Sequence, residues 1–224
     1  MTNKVKSFCF LLLLFAAATT NAQKSDVGNW FAYLGNQKIN NRFNWQNEVQ
    51  YQNFNFAGDL EQLLIRTGLG YNLSENNNNI LLGYAYIHSE PYVAGTAEKV
   101  QTDEHRIFQQ FITKQQFGRV YIQHRYRFEQ RFIEEDFKMR LRYSLSLNVP
   151  LNKKLIEKNA VYASLSNEIF INTQQNQYDR DRLYGGVGYC LSKYIKVEAG
   201  VMTQFLPTKN RTQFQIMIFN NLPF

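Results

Sequence analysis

Between Gly118 and Pro150 the chain switches between apolar and polar side chains almost residue by residue, a period of two that no helix has. Phe137, Met139, Leu141, Tyr143, Leu145, Leu147 and Val149 fall on one face of a strand, and Lys138, Arg140, Arg142, Ser144, Ser146 and Asn148 on the other. The segment before it behaves likewise: Val120, Ile122, Tyr126, Phe128 and Phe132 oppose Arg119, Gln123, Arg125, Arg127, Glu129 and Arg131. Only residues 133–136 separate the two. The pair reads as a long antiparallel hairpin with one apolar face and one face dense in guanidinium groups.

Length decides the kind of sheet. Strands of soluble proteins run about 5–6 residues, whereas a tilted strand crossing a bilayer needs about 9–11. These segments have the longer value. An apolar exterior around a charged interior inverts a soluble barrel and is the pattern of a transmembrane one. After the N-terminal leader no apolar run is long enough for a membrane helix, so a membrane address requires a closed barrel without open edges. The 14 Tyr and 18 Phe suit interfacial aromatic girdles.

Residues 1–22 have the three parts of a secretory signal peptide: Lys4 and Lys6, the apolar Phe8 to Ala18, and Thr20-Asn21-Ala22 before Gln23. Cys9 precedes most of the apolar core, the wrong place for a lipoprotein cysteine. Cleavage after Ala22 leaves residues 23–224 as one domain, an outer-membrane β-barrel of a Gram-negative bacterium. Cys190 is then the only cysteine, which excludes an internal disulfide framework. The mature chain is mildly basic, but its arginines and aromatics occupy opposite faces instead of sharing a stacking platform, so nucleic acid is not an expected partner.

Along the chain, strand-like segments fall at residues 27–36, 42–51, 60–73, 80–90, 102–116, 119–132, 137–149, 160–172, 180–191, 194–205 and 214–220. Because bacterial single-chain barrels close with an even number, the expectation is an antiparallel up-and-down barrel of 10–12 strands, with twelve preferred over the eleven segments seen. Short turns should alternate with longer loops. Segment 80–90 is apolar on both faces, which leaves its orientation open. In 102–116, Phe108 and Phe111 lie an odd number of residues apart, and a bulge would reconcile them. Stepping back by two from Phe224 gives Leu222, Asn220, Ile218, Ile216 and Phe214; the terminal aromatic is expected to be the signal read by the outer-membrane assembly machinery, although Asn220 and Pro223 depart from that pattern.

Several short strings, in order, carry a family likeness: Glu104-His105-Arg106-Ile107-Phe108-Gln109-Gln110, Arg125-Tyr126-Arg127-Phe128-Glu129-Gln130-Arg131, Arg140-Leu141-Arg142-Tyr143, Asn167-Glu168-Ile169-Phe170 and Arg180-Asp181-Arg182-Leu183-Tyr184-Gly185-Gly186. In these the chain resembles the outer-membrane barrels of Bacteroidota grouped as domain-of-unknown-function family 2490. The resemblance implies a barrel in the outer membrane and brings no catalytic residue with it.

The residues themselves assign no catalytic group, metal or cofactor. His88, His105 and His124 are too dispersed for a standard ligand spacing. His124 shares a face with Ile122 and Tyr126, while Ser144 and Ser146 face the other way. Gly185, Gly186 and Gly188 precede no helix, so they cradle no phosphate; they mark places where bulky neighbours cross the lumen or the sheet bends. Asp179-Arg180-Asp181-Arg182 has oxygens suited to Ca²⁺, but its arginines argue for ion pairs.

The expected lumen lining is Arg119, Arg125, Arg127, Glu129, Arg131, Arg140 and Arg142, with Glu48, Glu129, Glu168 and Glu198 as candidate partners. Two functions follow: a structural, binding or narrow anion-preferring permeation barrel, or a barrel enzyme acting on lipid as a hydrolase or acyl-modifying catalyst. Expected partners are outer-membrane lipid, the assembly machinery and a small molecule or ion of unspecified identity.

Overall fold

In the computed structural model, residues 27–74, 77–174 and 177–223 are described. The leader, its cleavage site and Phe224 lie outside them. All regular structure among the described residues is strand: β1 (Val27–Lys38), β2 (Phe43–Asn53), β3 (Leu60–Asn72), β4 (Asn78–Ser89), β5 (Thr102–Phe117), β6 (Val120–Ile133), β7 (Asp136–Pro150), β8 (Val161–Asn172), β9 (Tyr178–Cys190), β10 (Ile195–Phe205) and β11 (Asn210–Asn220). Each strand pairs antiparallel with the next, and β1 closes on β11.

The barrel therefore closes with eleven strands, not the preferred twelve. Each up-and-down step reverses direction, so an odd number brings the first and last strands together pointing the same way. The closing pair is accordingly parallel, in register from Val27↔Thr212 to Gly35↔Asn220. The evenness rule presumes an antiparallel seam; a parallel ladder, only slightly weaker per residue, removes that requirement.

The upper rim carries connections 54–59, 90–101, 134–135 and 206–209, with 173–174 and 177; the lower rim carries 39–42, 118–119, 151–160 and 191–194, with 73–74 and 77. Each rim has one long connection, so short and long loops do not segregate by side as expected. The register shifts at Gln52/Asn53 and at Phe170/Ile171. β5 has no bulge: its pairing runs unbroken with β4 and β6, Phe108 points inward and Phe111 outward.

Alternation sets two chemically opposite surfaces. Outward side chains such as Leu69, Leu82, Leu141, Leu165, Val187 and Val201 are about half exposed or more, reaching 60% at Leu82. A shallow apolar depression of about 1010 Å³ on this face is lined by Phe43, Leu69, Leu82, Phe111, Tyr126 and Leu141, among others, and belongs to the same band. Inward residues are mostly polar and mostly buried, among them Arg66, Arg106, Arg127, Glu129, Arg140 and Arg142.

The interior also holds apolar patches, one around Trp30 and Ala32 of β1 and one on β4. Leu81, Ala85 and Ile87 turn inward and pack with Leu64 and Phe108 into an apolar patch of the wall. The ring of Phe108 lies across Gly83, where a Cβ would strike it.

Candidate functional site

The interior is organised by carboxylates, most of which collect more than one guanidinium group. Glu129, only 1% exposed, accepts from Arg140 at 2.6 and 3.0 Å and from Arg142 at 2.7 Å; Arg127 and Arg106 approach it at 3.7 and 3.9 Å. Glu168 accepts from Arg142 at 2.8 and 3.0 Å and from Arg125 at 2.8 Å. Glu104 holds Arg106 and Arg131, and Glu48 holds Arg66 at 2.8 Å. Arg140 also reaches Asp179 at 2.7 Å, and Glu61 pairs with Arg211 at 2.6 Å near the closing seam.

A buried charge is tolerated only when it is paired and its hydrogen bonds are made. Here most of the pairs cross between neighbouring strands, so they lace β2–β3, β5–β6–β7 and β7–β8 together.

Two aromatic rings support the guanidinium planes. The Phe108 ring lies 4.6 Å from Arg127 and 5.4 Å from Arg66. Phe170 has Arg142 at 4.3 Å, Arg182 at 4.8 Å and Arg140 at 5.1 Å. Arg182 also stands 4.9 Å from Trp30 and donates to Gln204 at 2.9 Å. Cation–π contacts between desolvated partners add to this lattice.

Of the residues expected to line the lumen, Arg125, Arg127, Glu129, Arg131, Arg140 and Arg142 are brought together in these networks. Arg119 is not among them. It stands in the 118–119 turn, where its guanidinium donates to the carbonyls of Pro150 at 2.6 Å, Lys153 at 3.0 Å and Leu151 at 3.3 Å. A residue at the strand edge reaches nearby loop carbonyls before it reaches the lumen. Glu198 likewise takes the Tyr162 hydroxyl, at 2.7 Å, instead of an arginine.

Sequence reasoning did not single out Glu104, Arg106, Arg66 and Arg182 as site residues. Their strand parity, inward on β3, β5 and β9, was the available signal.

Packing differs between the two ends. Toward the upper rim Gln52, Glu104, Gln204 and Gln213 are buried. Below the lattice a polar cup of about 360 Å³ remains. Arg66, Arg125, Arg127 and Arg142 lie at its floor; Ser144, Ser146, Ser164 and Ser166 form a wall on β7 and β8; Lys114 and Lys196 stand nearer the lower rim. On the neighbouring β9, Gly188 makes room for its cross-strand partner Tyr162, whose ring occupies the place of the missing Cβ. Gly186 meets Tyr184 in the same way, whereas Gly185 faces outward with nothing nearby.

The three histidines lie on the outer face, and none bonds another. Nδ1 of His88 lies 2.7 Å from Asp103, which also accepts from Tyr86 at 2.7 Å; His105 bonds Tyr84 at 2.5 Å, and His124 bonds Tyr143 at 2.9 Å. Among the described residues no serine hydroxyl bonds any of them, and no cluster of three or more His, Cys, Asp or Glu side chains could hold a metal. Asp179 faces Arg140, and Asp181 takes the amide of Asn167 at 2.7 Å, so the two carboxylates diverge.

On the upper rim Lys99 ties two loops together, bonding Asp59 at 2.6 Å, Glu90 at 3.4 Å and the Leu60 carbonyl at 2.6 Å, with the Phe54 and Tyr92 rings beside it. Burial alone would lower the Lys99 pKa. The bonds to Asp59 and Glu90 outweigh it and leave that pKa raised.

Fold and interior together define a closed, eleven-stranded β-barrel with an apolar exterior and an ion-paired core. Over residues 27–215 the sequence matches the family described as "Protein of unknown function (DUF2490)", and the chain belongs to it. Neither a curated protein nor a solved structure matches the chain.

Proposed function

We propose that this protein is an outer-membrane barrel that does not conduct along its axis and that acts as a binding barrel. The supporting observation is the opposition of the two surfaces: a closed sheet whose outer face exposes Leu69, Leu82, Val187 and Val201 while its interior buries ion-paired arginines. An apolar band of this extent in water would be an aggregation or interaction surface; hydrocarbon is the solvent it suits. The shortest strands have 11 residues, enough for a tilted crossing.

The leader at residues 1–22 and the aromatic Phe224 fit the same address, with assembly machinery and outer-membrane lipid as partners. The burial of Gln52, Glu104, Gln204 and Gln213 toward the upper rim argues against a permeation path, and the outward-facing histidines, none bonded to a serine among the described residues, argue against a lipid-acting enzyme.

The test is planar-bilayer recording of refolded protein, paired with a phospholipid hydrolysis assay on the same sample. Inserted but electrically silent protein with no hydrolysis is the expected result. Steady anion-selective conductance would replace the binding barrel by a pore, and hydrolysis lost with one histidine would replace it by an enzyme.

A further inference from the structure

The cup has more cations than carboxylates in its lining. Its acids are engaged: Glu48 by Arg66 and Gln50, Glu168 by Arg125 and Arg142, Glu198 by Tyr162. Its cations are not all so occupied. Among the described residues Lys114 and Lys196 form no ion pair, and Arg125 uses one nitrogen on Glu168 while its side chain stays 24% exposed. Arg127 is 4% exposed, yet its Nη1 has no hydrogen-bond acceptor; the nearest carboxylate oxygen is at 3.7 Å. A buried guanidinium nitrogen without an acceptor is costly, and Arg127 is among the cations that line the cup.

The wall adds a second chemistry. Ser146 pairs in register with Ser166, and Ser144 and Ser164 flank them on the same inner face. None of these four hydroxyls bonds another described residue, so each is free to donate to or accept from a guest. The cup volume of about 360 Å³ lies at the small end of ligand pockets.

We propose that the cup is a binding site for a small hydroxylated anion: a phosphate or carboxylate carried on a polyol or sugar-sized body. The anionic group sits against Arg125 and Arg127, the hydroxyls meet the serine wall, and Lys114 with Lys196 draw the anion in from the lower rim. This rests on the reading of the barrel as closed at its upper rim, because in a through-pore the same groups would line a permeation path.

Titration calorimetry on refolded full-length protein at low ionic strength tests the proposal, with glucose 6-phosphate, gluconate, inorganic phosphate and neutral glucose as probes. Saturable binding of the first two, competition by inorganic phosphate and no binding of glucose are expected. Lys114→Glu combined with Lys196→Glu should weaken binding at least tenfold, and Ser146→Phe, which fills the cup, should abolish it in protein whose heat-modifiable gel mobility is unchanged.

Where a variant fails to fold, phosphate competition in the native sequence decides by itself. No saturable binding of any anion overturns the proposal, as does binding equal for glucose or indifferent to all cup substitutions in folded protein. Bilayer recording on the same preparation separates the two failures: conductance defeats the closed-barrel reading, while silent protein that binds no anion defeats the ligand site alone.

Discussion

Arg140 places two hydrogen bonds, of 2.6 and 3.0 Å, on a single oxygen of Glu129, leaving the other oxygen to Arg142 at 2.7 Å. That carboxylate is the hub on which β5, β6 and β7 converge. A pair of buried charges contributes modest net stability when intact, but removing one partner strands the other.

Glu129→Ala should therefore lower unfolding free energy by about 3–5 kcal/mol, the range for breaking a buried pair. Asp136→Ala, which removes an exposed partner of Lys138 at 3.2 Å, should change it by less than about 1 kcal/mol. Urea unfolding in detergent micelles followed by tryptophan fluorescence measures both. Equal effects would mean that water reaches the lattice and screens it.

Two inner-wall glycines make a second expectation. Phe108 covers Gly83 and Tyr162 covers Gly188, each ring lying where a side chain would have to go. Gly188→Val forces the Tyr162 ring off Glu198, and overpacking of this kind costs about 1–3 kcal/mol. Gly185→Val, on the outer face with open space, should be nearly neutral. Thermal unfolding of the two variants side by side gives the answer.

Period two makes most of the strand orientation legible in the amino-acid sequence itself. In β2, β3, β6, β7, β9 and β10 one face is apolar and the other polar, so the alternation alone says which residues turn to the interior. It fails where the interior is itself apolar. Leu81, Ala85 and Ile87 pack against Phe108, so β4 lacks contrast and Phe108 looks misplaced beside Phe111.

The partners of the arginines were less legible than their positions. Arg131 binds Glu104 on the neighbouring strand and Arg211 binds Glu61 across the closing seam, contacts set by register and closure that no local pattern encodes. All eleven strands were legible as segments, within the expected 10–12; the preference for twelve failed because closure by a parallel pair is a property of the ends together, not of any segment.

The upper-rim loops offer a test outside the barrel wall. Lys99 bonds Asp59, Glu90 and the Leu60 carbonyl, holding the 90–101 connection against the 54–59 connection. Lys99→Met keeps much of the packing on Phe54 and Tyr92 and removes the charge. Limited proteolysis with a low ratio of proteinase K, which can cleave the loop in either sequence, should then cut within 90–101 several-fold faster, while the strands stay protected. Unchanged cleavage would show that the Tyr92–Lys99 backbone bridge alone fixes the loop.

The decisive expectation concerns what covers the outer band. Leu141 faces outward and is 48% exposed, while its neighbour in sequence, Arg142, is buried in the lattice. If water bathed this face, Leu141→Arg would be a surface change worth no more than about 0.5 kcal/mol. If hydrocarbon does, the same change costs about 2–4 kcal/mol near the bilayer midplane. Ser146→Arg, directed into the polar cup, supplies the internal comparison and should cost less than the outward arginine. Folding titrations into phosphatidylcholine vesicles, read by protease protection and gel mobility, measure both. A penalty at Leu141 well above that at Ser146 supports the membrane address. The opposite order, with full solubility of the native chain without detergent, would make the exterior a protein-binding surface instead.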